Sequence, residues 1–288
     1  MELWFTEKQT PTLGLSCKVT ETVYAERTQY QDLAILDTAQ FGRMLVLDGM
    51  VQTTLADEFV YHEMLSHVAM YTHPYPRTVA IIGGGDGGAL REVLKHPCVE
   101  HAVLIEIDGR VVEACRRYLP ETAVAFEDPR AELVLEDGVK YIKDCKSKYD
   151  VILVDSTEPV GPAVELFSDS FYRAAFDALT PEGVLVAQTE SPFLNQEIIK
   201  RSFARVRSAF PLARLFLAPV PTYPSGLWSF TLGSKKEDPL STAWTLAPGS
   251  RAEVACRYYT RRVHAAAFQL PVFVQSLLDE ASVMEPSR

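Results

Sequence analysis

Four acidic residues of this chain stand where a predicted buried strand ends. Asp86 lies within the run GGGDGG, directly after the apolar segment Val79–Ile82. Glu106 closes HAVLIE, Asp137 follows AELVLE, and Asp155 closes YDVILVD. In an open α/β sheet, ligands bind outside the carboxyl ends of the strands. The sequence therefore predicts one acidic cleft to which all four carboxylates contribute.

The glycine run predicts a nucleotide-binding turn between a strand and a helix. Gly83, Gly85 and Gly88 have the G-x-G-x-x-G spacing, which alone is weak evidence. Asp86 argues against a dinucleotide, because a carboxylate would oppose the pyrophosphate by roughly a few kcal/mol at close range. The turn favours a nucleoside with a cationic tail, such as S-adenosylmethionine, and more so its decarboxylated form, which lacks the repelled carboxylate. The alternative is that Asp86 only caps the following helix.

The acids of the next two strand ends are candidates for the nucleoside. Glu106, roughly 20 residues after the glycine turn, is placed to accept hydrogen bonds from the ribose hydroxyls. Asp108 is either a second candidate or a cap of the next helix. Asp137, with the backbone of Gly138, is predicted to accept from an adenine amino group. For each of these acids taken singly, an exposed loop position is the alternative.

Asp155 and Glu158 are candidates for binding an extended polycation. They lie in the segment DSTEPVGP, which contains two prolines and ends at Pro162. An amine with a pKa of about 10.4 must lose a proton before it attacks, and a carboxylate with a pKa of about 3.9 is a weak base for it. We therefore expect Asp155 to act mainly by positioning and desolvating the amine. The alternative is a solvated acidic loop.

Aromatic residues could complete such a pocket. Tyr61 and His62 lie on a predicted helix, and Trp4, Tyr223 and Trp228 fall in segments that could wall a channel for methylene groups and cations. Judged alone, the pattern favours ordinary packing in the core or on the surface for each of them.

Composition excludes several classes of function. The 28 basic and 38 acidic residues give a net charge of −10, which disfavours a nucleic-acid partner. The five cysteines include no C-x-x-C pair and are typical of reduced thiols in the cytoplasm. The sequence shows neither an export signal nor an apolar run of membrane-spanning length, so we expect a cytoplasmic protein.

Metal and nucleotide-hydrolysis motifs are not predicted. HEMLSH places two histidines five residues apart, which differs from the four-residue spacing of H-E-x-x-H. No other cluster has the spacing of metal ligands. The glycine run also lacks the Lys-Ser/Thr of a P-loop. We expect neither a metal nor a prosthetic group.

The elements that must position these residues fall into two parts. Up to about residue 56 the pattern predicts strands, with a hairpin at Asp48-Gly49, then a helix from about Glu58 to Tyr71 capped by Asp57. Prolines 74 and 76 suggest a boundary, so the predicted domains are residues 1–74, a small β-strand domain with a connecting helix, and residues 75–288.

The second part alternates strands and helices. Five buried-strand segments, separated mostly by helices, predict a Rossmann-like, doubly wound parallel sheet of the methyltransferase type. Two later strands, Arg214–Ala218 and Leu227–Leu232, flank the turn PVPTYPSG and predict an antiparallel edge pair. Among the helices, Asp169–Leu179 is predicted to be capped by Ser168, and a last helix spans about Pro271–Ser282.

Ordered motifs along nearly the whole chain resemble the spermidine synthase family of aminopropyltransferases. They include YQD, LVLDGMVQ, YHEM, GGGDGG, LREVLKHP, DSTEPVGPA, AQTESP and PTYPSGLWSF. The resemblance implies transfer of the aminopropyl group of decarboxylated S-adenosylmethionine to putrescine, giving spermidine and 5′-methylthioadenosine. It also implies a small β domain on a Rossmann-like domain, and a homodimer or homotetramer.

The resemblance also implies roles for individual residues. Asp155 would be the proton acceptor, with Asp86 and His62 at the amines and Glu158 at the far end of the acceptor. The nucleoside would be held by Gln31, Glu106, Asp137, Gly138 and Pro162. The acceptor channel would be lined by Gln52, Tyr61, Gln188 and Tyr223. Within this resemblance His62 stands where some members carry glutamine, and Glu158 where many carry aspartate.

Two rival functions remain open at this stage. An amine methyltransferase could use the same scaffold, although Asp86 argues against it. A polyamine sensor without turnover could keep the acidic pocket but would not need Asp155. The sequence leaves open how strictly putrescine is preferred and whether the assembly is a dimer or a tetramer.

Overall fold

The computed structural model describes residues 2–157, 165–241 and 253–283. The first sheet is an antiparallel meander of five strands in chain order. Its strands are β1 (Leu3–Thr10), β2 (Leu13–Arg27), β3 (Asp32–Thr38), β4 (Gly42–Leu47) and β5 (Met50–Thr54). The predicted hairpin is confirmed, because Leu47 pairs with Met50 and both turn residues, Asp48 and Gly49, have positive φ angles.

The second sheet has seven strands in the order β11-β12-β10-β9-β6-β7-β8. Its strands are β6 (Thr78–Gly83), β7 (His101–Glu106), β8 (Ala131–Leu135), β9 (Tyr149–Asp155), β10 (Leu179–Gln188), β11 (Leu212–Pro219) and β12 (Leu227–Ser234). Strands β6 to β10 are parallel, whereas β12 is antiparallel to both β10 and β11. The predicted doubly wound sheet and its antiparallel edge pair are therefore confirmed.

Helices cover both faces of this sheet. The described helices are α1 (Glu58–Thr72), α2 (Gly88–Leu94), α3 (Gly109–Tyr118), α4 (Pro120–Ala123), α5 (Gly138–Lys143), α6 (Asp169–Ala178), α7 (Gln196–Ala209), α8 (Arg261–Ala267) and α9 (Val272–Val283). Alternate residues of β6 point to opposite faces. Val79 and Ile81 pack in a core with residues of α1, α2 and α3, and Ala80 and Ile82 in a second core with residues of α5, α6 and α7.

The first residues of α6 and α1 are stabilised in different ways. Ser168 caps α6 as predicted, since its Oγ accepts from the Phe171 amide at 3.2 Å. Asp57 occupies the N-cap position of α1, but its carboxylate makes no capping bond. Instead it accepts from the hydroxyl of Thr54 at 2.6 Å and from the amide and hydroxyl of Thr222 at 2.9 and 2.7 Å. The prediction that Asp57 is the N-cap residue is therefore confirmed, although a distant loop takes up the oxygens of its carboxylate.

Helix α1 connects the two sheets. It packs against α2 and against strands β9 and β10 of the second sheet. The position at which the chain divides into domains stays a prediction. Of the helices in the described part of the chain, none combines the length and the apolar character needed to cross a membrane.

Candidate active site

The strand order of the second sheet reverses between β6 and β9, and a cavity of about 440 Å³ opens there. Gly83 pairs with Asp155 across these strands, and the Gly84 amide donates to the Asp155 carbonyl at 2.8 Å. Gly83 has φ +83°, and a Cβ atom on it would lie 2.2 Å from that carbonyl oxygen. Only glycine allows the turn to approach β9 this closely.

This cavity brings together all the described residues to which the family resemblance gives a role. They are Gln31, Gln52, Tyr61, His62, Asp86, Glu106, Asp137, Gly138, Asp155, Gln188 and Tyr223. The two remaining predicted residues, Glu158 and Pro162, lie outside the described residues. Strand ends, the glycine turn, helix α1 and the first sheet all contribute to the wall.

One end of the cavity is built around Glu106. Burial raises the pKa of Glu106 to about 7, although the Asp108 amide donates to its Oε1 at 2.9 Å. Asp108 caps α3 by accepting from the Arg110 amide at 3.1 Å, which confirms the helix-cap alternative for Asp108. Its other oxygen accepts from Gln31 Nε2 at 3.0 Å. Gln31 is thereby fixed beside Glu106.

Asp137 lies at the start of α5 in the same region. Its Oδ1 accepts from the Val139 amide at 2.9 Å and so caps that helix, with Gly138 as the first helical residue. The carboxylate also lines the cavity. The capping bond fixes its orientation there.

Asp86 serves two purposes at once. Its Oδ1 accepts from the Gly88 amide at 2.6 Å and so holds the start of α2, where Gly87 is the N-cap residue. Its Oδ2 lies 3.5 Å from Nε2 of His62, and the carboxylate lines the cavity. Because only Oδ1 makes the bond to the helix, Oδ2 remains directed at the cleft.

His62 lies between two carboxylates. Its Nδ1 is 2.6 Å from Oε2 of Glu58, one turn earlier on α1. Burial alone would lower the pKa of His62, but the charges of Asp86 and Glu58 outweigh it and raise the pKa well above its usual value. Burial acts to raise the pKa of Glu58, yet His62 and Arg91 together lower it to about 2.

Asp155 has one bonded and one unbonded carboxylate oxygen. Oδ1 accepts from the Tyr61 hydroxyl at 2.8 Å. Oδ2 is buried and has no hydrogen-bond partner among the described residues. Burial raises the pKa of Asp155 to about 6; His62 and Tyr61 counteract this, and Asp86 adds to it. A carboxylate with this pKa accepts a proton more readily than an exposed aspartate does.

The other end of the cavity is aromatic and joins both sheets. The Tyr223 hydroxyl donates to the Gln52 carbonyl at 2.5 Å, and its ring packs edge-on against Trp228 at 4.8 Å between centroids. Gln188 Nε2 donates to the carbonyls of Ser156 and Thr157 at 3.2 and 3.4 Å. Trp4 does not take part: it is 53% exposed on β1 and is not among the lining residues.

Sequence reasoning missed two acids of this region. Glu7 of β1 is 3% exposed and lines the cavity; an acid at an inward position of WFTEK was the available signal. Glu58 was considered only as the start of a helix, although it lies four residues before His62 on the same face. No cluster of His, Cys, Asp and Glu in the described ranges could hold a metal ion.

The strand order and the cleft at its reversal define a Rossmann-like fold of the methyltransferase type. Two family models match the chain: the spermine/spermidine synthase domain over residues 58–242 and the spermidine synthase tetramerisation domain over residues 3–54. The chain belongs to the spermidine synthase family of polyamine aminopropyltransferases.

Curated relatives agree with this assignment over almost their full length. The polyamine aminopropyltransferase of Caldicellulosiruptor bescii is 60% identical, with 96% of this chain and 99% of the relative covered. That of Moorella thermoacetica is 53% identical, with 96% of each covered.

Solved structures are similarly close. A spermidine synthase in complex with the transition-state analogue AdoDATO has a TM-score of 0.92 and 44% identity, covering 96% of this chain and 95% of that one. The spermidine synthase of Thermotoga maritima has a TM-score of 0.89 and 43% identity, with 96% and 94% covered. The chain is thus a polyamine-biosynthetic transferase by family.

Proposed function

We propose that the protein transfers the aminopropyl group of decarboxylated S-adenosylmethionine to putrescine, giving spermidine and 5′-methylthioadenosine. The observation that carries this proposal is the buried, unbonded Oδ2 of Asp155, which shares one cavity with Asp86 and with the ribose-binding candidate Glu106. The structural relative in complex with AdoDATO supports a donor of this kind.

The donor would lie along the glycine turn. Glu106 would accept from the ribose hydroxyls, and Asp137 with Gly138 from the adenine amino group. Asp86 would attract the ammonium of the aminopropyl tail through its Oδ2. A carboxylate on the tail would be repelled at the same point, so the decarboxylated compound is the preferred donor.

The acceptor would reach the donor from the aromatic end. The methylene chain and the amines of the acceptor would be contacted by four side chains, those of Tyr61, Tyr223, Gln52 and Gln188. The attacking nitrogen forms a bond to the carbon next to the sulfonium, the carbon–sulfur bond breaks, and its electrons neutralise the sulfur. The nitrogen loses one proton, which Asp155 Oδ2 accepts. Alignment of nitrogen, carbon and sulfur supplies much of the rate enhancement.

The proposed reaction also involves the far end of the acceptor, a homo-oligomer and a cytoplasmic location. We propose that Glu158 binds the far amine of the acceptor. We also propose that the chain forms a homo-oligomer through residues 3–54, which match the tetramerisation domain. The reaction uses decarboxylated S-adenosylmethionine as co-substrate and needs no prosthetic group. The five cysteines are all unbridged, which is consistent with a cytoplasmic location.

A product assay tests the reaction. The purified protein is incubated with decarboxylated S-adenosylmethionine and one amine at a time: putrescine, cadaverine, agmatine or spermidine. Parallel incubations contain S-adenosylmethionine instead, products are read by mass spectrometry, and donor binding is measured by equilibrium dialysis. Spermidine from putrescine is expected as the chief product. A methylated amine formed from S-adenosylmethionine, or binding without turnover, would show one of the two rival functions instead.

The role of Asp155 is tested by Asp155→Asn. Turnover is expected to fall about 10²- to 10⁴-fold, while donor affinity stays nearly intact. Asp177→Asn, which removes an exposed carboxylate paired with Lys146, is the matched control. Equal turnover in Asp155→Asn and Asp177→Asn would remove Asp155 from the mechanism.

A further inference from the structure

The cavity holds one basic side chain among its described lining residues, and that side chain is His62. No lysine or arginine of the described lining faces the carboxylates of Glu7, Asp86 and Asp155. Between turnovers these carboxylates have no cationic substrate beside them, and the cavity is open to water. Among the described lining residues, this imidazole is therefore the only side chain that can carry a positive charge.

The ring of His62 is held so that each nitrogen faces a carboxylate. Nδ1 is 2.6 Å from Glu58 Oε2, and Nε2 is 3.5 Å from Asp86 Oδ2. A neutral imidazole has one N–H and can donate to only one of them, whereas the imidazolium can donate to both. The arrangement of the two carboxylates therefore suits the charged ring.

Neighbouring groups prevent the ring from turning away. Arg91 Nη2 donates to both oxygens of Glu58, at 3.1 and 2.8 Å, so Glu58 is fixed behind Nδ1. On the other side the backbone of α2 touches the ring, since a Cβ atom on Gly88 would lie 2.2 Å from His62 Cε1. Glu58, Arg91 and Gly88 thus position His62 without lining the reacting atoms.

A bound ammonium changes the balance of charge. It would take the place of the imidazolium at Asp86, and two cations sharing one carboxylate repel each other. If the ring keeps its N–H towards Glu58 and loses the other proton, Nε2 gains a lone pair that can accept from the ammonium. The same ring, without moving, then becomes a neutral ligand for the substrate.

We propose that His62 is an exchangeable counter-ion, charged in the empty cavity and neutral in the loaded one, so that binding of the cationic donor releases one proton. The proposal rests on the donor identified under the proposed function. The proton passes to solvent, and no bond of the donor is made or broken in this step.

Other titrating groups facing the ring determine the conditions of the test. These are Glu58 and Tyr61 on α1, Asp86 on the glycine turn and Asp155 on β9, with Glu106 further along the cavity. The pKa of Asp155 is about 6 and that of Glu106 about 7, both raised chiefly by burial. At about pH 8 both are mostly ionised before binding, so they release little. Asp86 and Glu58 raise the pKa of His62 well above its usual value, and the proposal requires the free protein to keep the second ring proton at this pH.

Calorimetry measures the release directly. Decarboxylated S-adenosylmethionine is titrated into the protein at about pH 8 in buffers of different ionisation enthalpy. The slope of the apparent binding enthalpy, plotted against the ionisation enthalpy of the buffer, gives the number of protons released. About one proton is expected, with affinity rising about tenfold per pH unit below the pKa of His62. The neutral nucleoside 5′-methylthioadenosine should release almost none.

A matched pair of variants identifies the source. His62→Gln keeps a donor and an acceptor at this place but cannot titrate, and it should bind the donor with almost no proton release. His101→Gln removes an exposed histidine paired with Glu132 and should release as much as the unaltered protein. Binding of the donor with equal proton release in His62→Gln would overturn the proposal.

Nuclear magnetic resonance of the imidazole nitrogens separates this proposal from the proposed function. In the free protein at about pH 8, the His62 ring should show the nitrogen shifts of an imidazolium, and a neutral ring would overturn the proposal whatever the substrate is. Absence of calorimetric binding combined with a charged ring would instead count against the donor that we assign.

Discussion

The Tyr61 hydroxyl donates a 2.8 Å hydrogen bond to Oδ1 of Asp155, and Oδ2 of the same carboxylate has no partner among the described residues. The two oxygens are therefore not equivalent. A bond to the ionised carboxylate stabilises that form and lowers the pKa, while burial and Asp86 raise it. The phenol thus adjusts how strongly the free oxygen attracts a proton.

Replacing Tyr61 by Phe should shift the acidic limb of the pH–rate profile upwards. The proposed base acts when ionised, so kcat/KM should rise with pH through the pKa of Asp155, about 6, and level off above it. Loss of a hydrogen bond worth about 1.5–3 kcal/mol moves that limb about one to two pH units higher. The measurement is kcat/KM for putrescine at a saturating concentration of decarboxylated S-adenosylmethionine, between about pH 5 and pH 9.

Tyr223→Phe is the control for this shift. It removes a cavity phenol whose hydroxyl bonds to the Gln52 carbonyl and not to Asp155. The limb should stay in place in this variant even if KM changes. A limb at the same pH in Tyr61→Phe and in the unaltered protein would contradict the role given to the phenol.

Asp86→Asn should weaken discrimination between the two forms of the donor. The amide oxygen can still accept from the Gly88 amide, so the start of α2 is kept, but the charge at the cleft is lost. Loss of one partner of a buried charge pair costs about 2 kcal/mol or more, or about 30-fold in affinity for the decarboxylated donor. Affinity for S-adenosylmethionine should fall less or rise. Equilibrium dialysis with both compounds checks this, and an unchanged affinity ratio would count against Asp86 as the discriminating group.

Gly88→Ala should damage the site through His62. The added Cβ atom would meet the ring at 2.2 Å, and Glu58 and Arg91 hold the ring from behind. We expect a loss of about 1–3 kcal/mol in the free energy of unfolding, measured by urea denaturation. In a His62→Ala background the same substitution should cost nothing, because alanine then only improves helix propensity. Equal costs in both backgrounds would show that the ring is not the obstacle.

Glu63→Gln should loosen the C-terminal segment. The Glu63 carboxylate accepts from the amides of Arg257, Tyr258 and Tyr259 at 2.7, 2.8 and 2.7 Å. An amide nitrogen in place of one oxygen leaves a buried donor unpaired, which costs about 1–3 kcal/mol. Hydrogen exchange of these three amides should accelerate, while exchange in β6 should not. The control, Glu132→Gln on the exposed surface, should leave the three amides protected.

The fold was predictable because its signals are local. The glycine turn and the apolar segments of the second sheet each lie within about ten residues, and burial on both faces leaves a continuous apolar run that sequence shows directly. Helix α4 was not predicted, since Pro120–Ala123 spans one turn and has no periodicity of its own. The sequence pattern does not show that α6 ends before Leu179, because β10 begins at the very next residue and no turn separates the two elements.

The site was predictable where strand ends carry the residues, and not where distant segments meet. Asp86, Glu106 and Asp155 share an edge because parallel strands do. The carboxylate of Asp57 instead bonds to Thr222, 165 residues away, and no local pattern could show this competition with helix capping. Glu7 reaches the cavity from a strand of the other sheet. Such contacts depend on how the sheets dock, which periodicity does not report.

The bond from the Tyr223 hydroxyl to the Gln52 carbonyl has an evolutionary consequence. Because it uses a main-chain oxygen of the small sheet, it tolerates side-chain replacement at that position. The region proposed for the diamine can therefore be reshaped by exchanges in the β4–β5 hairpin. Apart from Gln31, the described residues proposed for the nucleoside follow strands of the larger sheet, so such exchanges leave their geometry unchanged. Divergence in amine preference among relatives should then include exchanges in the β4–β5 hairpin, within the range of the tetramerisation match.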